Sequence, residues 1–180
     1  MSSTGNHGLQ FIWSTDGTAN TQGVLTSDPV PFANGQRGAV RVTMIANNGS
    51  GQRVIRFWTA PSLNGPWTQL GATVTQTGTT SIANVSAPLA VGAWSDGSNA
   101  IQGTVYAFEV RNGVDGTMVA GVRFAGMPPL TPTFTDAVGN LWSRSGSAFL
   151  PPDPFKRGGE SGYVWGATPV AGLALYTVLP

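Results

Sequence analysis

The sequence predicts an all-β protein, an antiparallel β-sandwich or jelly roll. Three observations carry that prediction. Short runs alternate apolar and polar residues with a period of two. Turn-forming residues separate the runs, with 25 glycines and 13 prolines among 180 residues. No helical stripe longer than two turns occurs anywhere in the chain.

Leu9–Ser14 reads as a short strand, followed by a turn at Asp16-Gly17. Gly23–Pro31 reads as another, displaced toward an edge by Pro29 and Pro31. Gly38–Ala46 and Arg53–Ala60 form the clearest hairpin, joined by Asn47-Asn48-Gly49-Ser50-Gly51. Val40, Val42 and Met44 share one face of the first strand. Ile55 and Phe57 give the core face of the second, which leaves Arg56 and Trp58 together on the opposite face, where the guanidinium can stack on the indole. Thr68–Thr75, Thr79–Ile82 and Pro88–Ala93 are further short strands. The most sharply patterned unit is Gly103–Phe124. Tyr106, Phe108 and Val110 alternate there with Ala107, Glu109 and Arg111. The joint Asn112-Gly113-Val114-Asp115-Gly116 supplies residues that accept positive φ.

Composition shifts after Gly126. The run Met127–Pro132 is a proline-rich linker. Phe134–Ser143 reads as a hairpin about Gly139-Asn140, Leu150–Pro154 is a second proline cluster, and Tyr163–Gly166 and Leu173–Leu179 are final strands. The reading is a sandwich over 1–126 and, over 127–180, a linker with a C-terminal β extension that docks or completes a sheet.

The totals exclude several functions. Cysteine is absent, so disulfides and thiolate metal sites are excluded. Charged residues make up 9% of the chain, against roughly 25% in an average soluble protein. Hydroxyls and amides take their place, as on surfaces that pack against proteins or sugars. A net charge of +1 with a single lysine, Lys156, argues against nucleic acid as a partner. No apolar run approaches the ~20 residues of a transmembrane helix. Met1-Ser-Ser-Thr-Gly lacks a basic start and an apolar core, so no secretion signal is expected there.

The segments WSTDGTA, FANGQRGAVRVTMIANNGSG, WTQLGATVTQTGTTSI, SAPLAVGA, GTVYAFEVRNGVDGTMVA and FTDAVGNLWSRSG occur in that order across residues 9–149. As an ordered set they resemble the concanavalin A-like, laminin-G-type jelly-roll domains of minor tail proteins from phages of actinobacteria. The resemblance implies two curved antiparallel sheets, a place in the virion and a glycan-binding or adhesive surface. A tail or tail-fibre subunit is the leading reading, and a head decoration protein or a carbohydrate-binding receptor-recognition module are its alternatives. The partners implied are other virion proteins, further copies in a trimer or larger ring, and cell-envelope glycans. Family members carry several strands before the WSTDGTA turn, and only one short strand precedes it here. Either the sandwich is reduced, or the missing strands come from the C-terminal segment or from another subunit. Leu150–Pro180 falls outside the resemblance, and Tyr163, Trp165, Leu173, Leu175 and Tyr176 are the assembly candidates on it.

The residues offer little chemistry. A glycoside hydrolase needs two carboxylates across one bond. Glu109 stands alone on its strand, and Asp16, Asp28, Asp96, Asp115, Asp136, Asp153 and Glu160 fall in turns or loops. His7, the one histidine, has no triad partner that sequence can name. No enzyme is expected. The resemblance raises calcium, with Asp16, Asp96, Asn99 and Asp115 as oxygen donors, but no Asp-x-Asp spacing concentrates them, and no cofactor is expected. Sugar binding is the better small-ligand reading, because flat rings stack on sugar faces while amides read the rims. Trp67 and Trp94, with Asp96 and Asn99, are the ligand candidates at strand–loop borders. Trp13, Trp58, Trp142 and Trp165 are assigned to packing or subunit contacts.

Overall fold

The computed structural model describes residues 8–17, 22–33, 35–83, 89–92, 104–124, 127, 132–145, 164–167 and 175–179, with backbone alone at 22–27, 145, 164–167 and 175–179. The fold is all-β, with no helix among the described residues. Twelve strands are arranged in three sheets, and every strand pairing is antiparallel. They are β1 (Gly8–Trp13), β2 (Gln22–Pro29), β3 (Gly38–Ile45), β4 (Gln52–Ala60), β5 (Thr68–Thr77), β6 (Leu89–Val91), β7 (Ala107–Arg111), β8 (Met118–Arg123), β9 (Thr133–Thr135), β10 (Leu141–Ser145), β11 (Val164–Ala167) and β12 (Leu175–Leu179).

The largest sheet has six strands in the order β5-β4-β3-β12-β7-β8. Side chains directly opposite in register share a face, so its inner face can be read across the strands. Leu70 lies opposite Phe57 and Phe57 opposite Val42. Beyond β12, Phe108 lies opposite Val122 and Val110 opposite Ala120. Two smaller sheets cover this face, as in a β-sandwich whose second layer is split. The β1–β2 hairpin brings Phe11 and Trp13 onto Val42, Ile55, Phe57 and Leu70. The sheet β6-β11-β10-β9 brings Val91, Phe134 and Trp142 onto Phe108, Val110, Ala120 and Val122.

Each half of the core is built around aromatic rings. Phe11 and Trp13 stack with centroids 5.3 Å apart, and the Trp13 indole N–H donates to the Thr80 hydroxyl at 3.0 Å. In the other half the Trp142 ring, with no exposed surface, meets Phe108 edge-on at 4.9 Å and stacks on Phe134 at 6.3 Å. Such buried rings contribute about 1.5–3 kcal/mol each through area alone.

The expected hairpins form at Gly38–Ala60, Gly103–Phe124 and Phe134–Ser143. In the second, Gly113 and Asp115 take positive φ, and a Cβ on Gly116 would collide with the Asn112 carbonyl. Three local readings need correction. Thr79–Ile82 is loop, tied to the sandwich by Thr80 N–H to Ala46 carbonyl and Ala83 N–H to Ser14 carbonyl. Tyr106 does not share a face with Phe108. The strand begins only at Ala107, so alternation stops there, and Val105 rather than Tyr106 joins the core of Phe108. The guanidinium over Trp58 is that of Arg41, its cross-strand neighbour, while Arg56 donates Nε–H to the Thr73 hydroxyl at 3.2 Å.

The C-terminal strand has an unusual place. β12 lies between β3 and β7, with Thr177 opposite both Val40 and Phe108. It joins a β3–β4–β5 half to a β7–β8 half that is otherwise separate in the sheet. Stopping the chain before Leu175 should therefore abolish cooperative unfolding in a thermal melt followed by circular dichroism, because a domain has only about 5–15 kcal/mol of net stability to lose. A truncated chain that melts cooperatively at the full-length midpoint would show that the halves stand without β12.

Candidate functional site

The outer face of the six-stranded sheet gathers most of the chemistry of the chain. One cross-strand row runs through Gln69, Trp58, Arg41, Tyr176, Glu109 and Gly121, each opposite the next in register. Beside it lie Ala39 and Ala60, directly opposite each other and both buried. Their small side chains leave a depression, and Leu63, Trp67 and Tyr106 pack into it. Leu63 and Trp67 arrive on the loop after β4, which folds back over the sheet.

Guanidinium groups and rings interleave on this face. The Arg37 guanidinium lies over the Tyr106 ring at 3.7 Å. That of Arg41 sits 6.0 Å from Trp58 and 5.8 Å from Trp67. Arg41 also forms an ion pair with Asp115 in the β7–β8 turn, a contact that carries the cluster across the sheet past β12. The Trp58 indole donates to Thr43 Oγ1 at 3.3 Å. On β7, Glu109 accepts from both Arg111 and Arg123 at 2.9 Å. Trp58, Trp67 and Tyr106 are half-buried, whereas Arg37 and Asp115 are exposed.

At the β8 end of the row the sheet edge is closed by a carboxylate. Asp136, in the β9–β10 turn, is buried. Its Oδ1 accepts the backbone N–H groups of Val138 and Asn140 at 3.0 and 2.9 Å, which fixes the turn. Its Oδ2 accepts Gly121 N–H at 3.2 Å, Asn140 Nδ2–H at 2.9 Å and the Trp142 indole N–H at 3.0 Å. Asn140 Nδ2 also donates to the Val119 carbonyl at 2.8 Å. Backbone groups on the free side of β8 thus pair with side chains of the other layer. Burial pushes the Asp136 carboxyl up, but the hydrogen bonds from the Asn140 side chain, the Trp142 indole and the Asn140 and Gly121 amides outweigh it and hold it below the usual carboxylate range.

Beside this clasp lies a cleft of about 350 Å³ between Met118, Gly121 and Arg123 on one side and Met127, Thr135 and Asp136 on the other. Glu109 also lines it. Both carboxylates are engaged, Glu109 by two guanidiniums and Asp136 by five donors. Among the described residues no cluster of three metal-ligating side chains occurs.

Of the ligand candidates, Trp67 lies in the aromatic cluster, while Trp94, Asp96 and Asn99 lie outside the described residues. Tyr163 and Leu173 lie outside them as well. Trp165 has its backbone on β11 opposite Val91. On β12, Leu175 lies opposite Val110 and Tyr176 opposite Arg41 and Glu109. Sequence reasoning missed Arg37, Arg41, Tyr106 and Asp136 as members of sites. Arg41 was legible as an outward residue of an alternating strand, but its two rings come from the facing strand and from a loop. Asp136 read as an ordinary turn aspartate. No protein-family model, curated protein or solved structure matches the chain.

Replacing Asp136 by Asn puts an amide NH2 where only acceptors serve, so buried donors among Gly121, Asn140 and Trp142 lose their acceptor. The expected cost is about 2–4 kcal/mol in denaturant unfolding. Because the folded carboxyl titrates below the unfolded one, its stabilisation is complete above the ordinary aspartate pKa of ~3.9 and is lost as pH falls through the folded value. The gap between wild type and Asp136→Asn should therefore narrow in acid; a gap that stays constant with pH would contradict the charged clasp.

Proposed function

We propose that this chain is a structural subunit of a bacteriophage particle, of the minor-tail or tail-fibre type. In this reading a lectin-like β-sandwich works in assembly and in adhesion to the host surface, and the protein resides in the virion. The phage context rests on the ordered resemblance of residues 9–149. The observation that carries the assembly role is the contrast between the two edges of the six-stranded sheet. β8 is capped by Asp136 and Asn140. β5 is ten residues long, mostly exposed, and contains no charged residue or proline. Among the described residues it pairs only with β4. Soluble proteins ordinarily blunt such an edge with charge, proline, a bulge or cover; among the described residues β5 has only the irregularity between Leu70 and Val74. The rest of its free side is suited to continue into the sheet of a neighbouring subunit.

The face just described favours a second, compatible activity as a carbohydrate-binding module, because half-buried rings flanked by guanidinium and amide donors match the way proteins grip sugars. Neither activity requires turnover, and the engaged state of Glu109 and Asp136 supports a non-enzymatic role.

Sedimentation of the purified chain across the micromolar range tests assembly. The expected result is a trimer or larger species. Thr75→Lys, at an exposed position of β5, should weaken association at least about tenfold by putting a charge on the shared edge, with the β-sheet spectrum unchanged. A wild-type chain that stays monomeric throughout, or an oligomer indifferent to Thr75→Lys, would overturn assembly through this edge.

A further inference from the structure

The outer face has a charge pattern that the rest of the chain lacks. Among the described residues, five of the nine basic residues of the chain, Arg37, Arg41, Arg56, Arg111 and Arg123, lie on or against it, and two carboxylates, Asp115 and Glu109, accompany them. Counted over the described residues the face is net positive by three, in a chain whose total is +1. Glu109 is shared between two guanidiniums and leaves that triad with one excess positive charge. Arg123 is 56% exposed and Arg111 33% exposed. Arg37 is exposed and stacked on Tyr106. Stacking uses the flat face of a guanidinium and leaves its in-plane N–H groups directed outward, a geometry suited to bidentate capture of a planar or tetrahedral oxyanion. Trp58 and Trp67 lie beside the Arg41 guanidinium toward the β4 side of this face and offer apolar ring surface to a sugar.

We propose that the outer face of the six-stranded sheet binds an anionic polysaccharide, a chain of sugars bearing carboxylate or sulfate groups. Rings hold the pyranose bodies, and Arg37, over Tyr106, and Arg123, opposite Ala107, take the anionic substituents. A neutral glycan would leave this concentration of positive charge without a counterpart. A duplex nucleic acid would satisfy the charges but keeps its bases stacked inside the helix and would leave the rings unused. This inference rests on the adhesive part of the reading above and specifies its ligand. It is independent of association through β5: a chain that binds dextran as well as the anionic glycans keeps the adhesive reading and loses this ligand, and a chain that binds none of the glycans loses both and leaves the structural reading standing.

The test is binding of the full chain to polygalacturonate, to dextran sulfate, to unmodified dextran and to duplex DNA, by titration calorimetry at low and physiological salt. The expected result is saturable binding to one or both anionic glycans, weakened by salt, with no binding to dextran. Preference between polygalacturonate and dextran sulfate identifies the anionic group. The double variant Arg37→Gln, Arg123→Gln removes two exposed side chains and should weaken binding about tenfold or more while leaving the thermal midpoint near wild type. Asp115→Asn should instead strengthen binding about threefold by removing an opposing charge, and asparagine tolerates the positive φ at this position. Absence of binding to both anionic glycans, equal binding to dextran, tighter binding to DNA than to either glycan, or indifference to the Arg37/Arg123 substitutions would each overturn the proposal.

Discussion

The Asp136 carboxylate is the contact on which the arrangement of the layers depends. Three of its five hydrogen bonds, from Val138 and from the backbone and side chain of Asn140, stay within its own turn, and two leave it, to Gly121 on β8 and to Trp142 on β10. It therefore fixes the turn between β9 and β10, aligns that hairpin along the β8 edge and orients the largest buried ring of the core. A buried carboxylate is costly unless its lone pairs are filled. Here they are filled by donors that themselves need acceptors, because β8 is an edge strand and the Trp142 ring has no exposed surface. Each group removes the penalty of another, so the cluster stabilises as a unit.

Closing β8 in this way sets up an asymmetry across the sandwich. The second layer is split, with one small sheet over β3, β4 and β5 and another over β7 and β8. Only the second half has its free edge tied down by side chains from the covering layer. Between the halves runs β12, supplied from the far end of the chain. The opposite face is crossed by the Arg41–Asp115 pair and by rings seated on Ala39 and Ala60. Among the described residues the free side of β5 and the rings about Arg41 lie on different parts of one sheet, as the proposed association and the proposed surface binding together require.

Much of the fold was legible in the sequence because it depends on local pattern. The alternation in Gly38–Ala46 and Arg53–Ala60 determined both the hairpin and its core face, and Asn112–Gly116 marked the separate turn between β7 and β8 through glycine and aspartate. Two things were not legible. Alternation describes a strand only while it lasts, and Tyr106 lies one residue before β7 begins, so the pattern placed it on the wrong side. The site residues come together through register between distant segments. Arg41 meets Trp67 across a loop reversal, and Asp136 meets Gly121 between layers; neither leaves a trace in spacing. The position of β12 between β3 and β7 is likewise a matter of topology, and a five-residue apolar strand at the end of a chain fits an edge as well as it fits a centre.

Residue-resolved amide hydrogen exchange on the dilute chain tests the difference between the two edges most directly. The account predicts that the Gly121 amide, on the outer side of an edge strand, is protected to the level of the core because Asp136 holds it. It also predicts that the β5 amides turned away from β4 exchange rapidly when the chain is dilute and slow down as its concentration rises. Rapid exchange at Gly121, or slow exchange along the free side of β5 at every concentration, would contradict an account in which one edge is closed by a carboxylate and the other is kept for a neighbour.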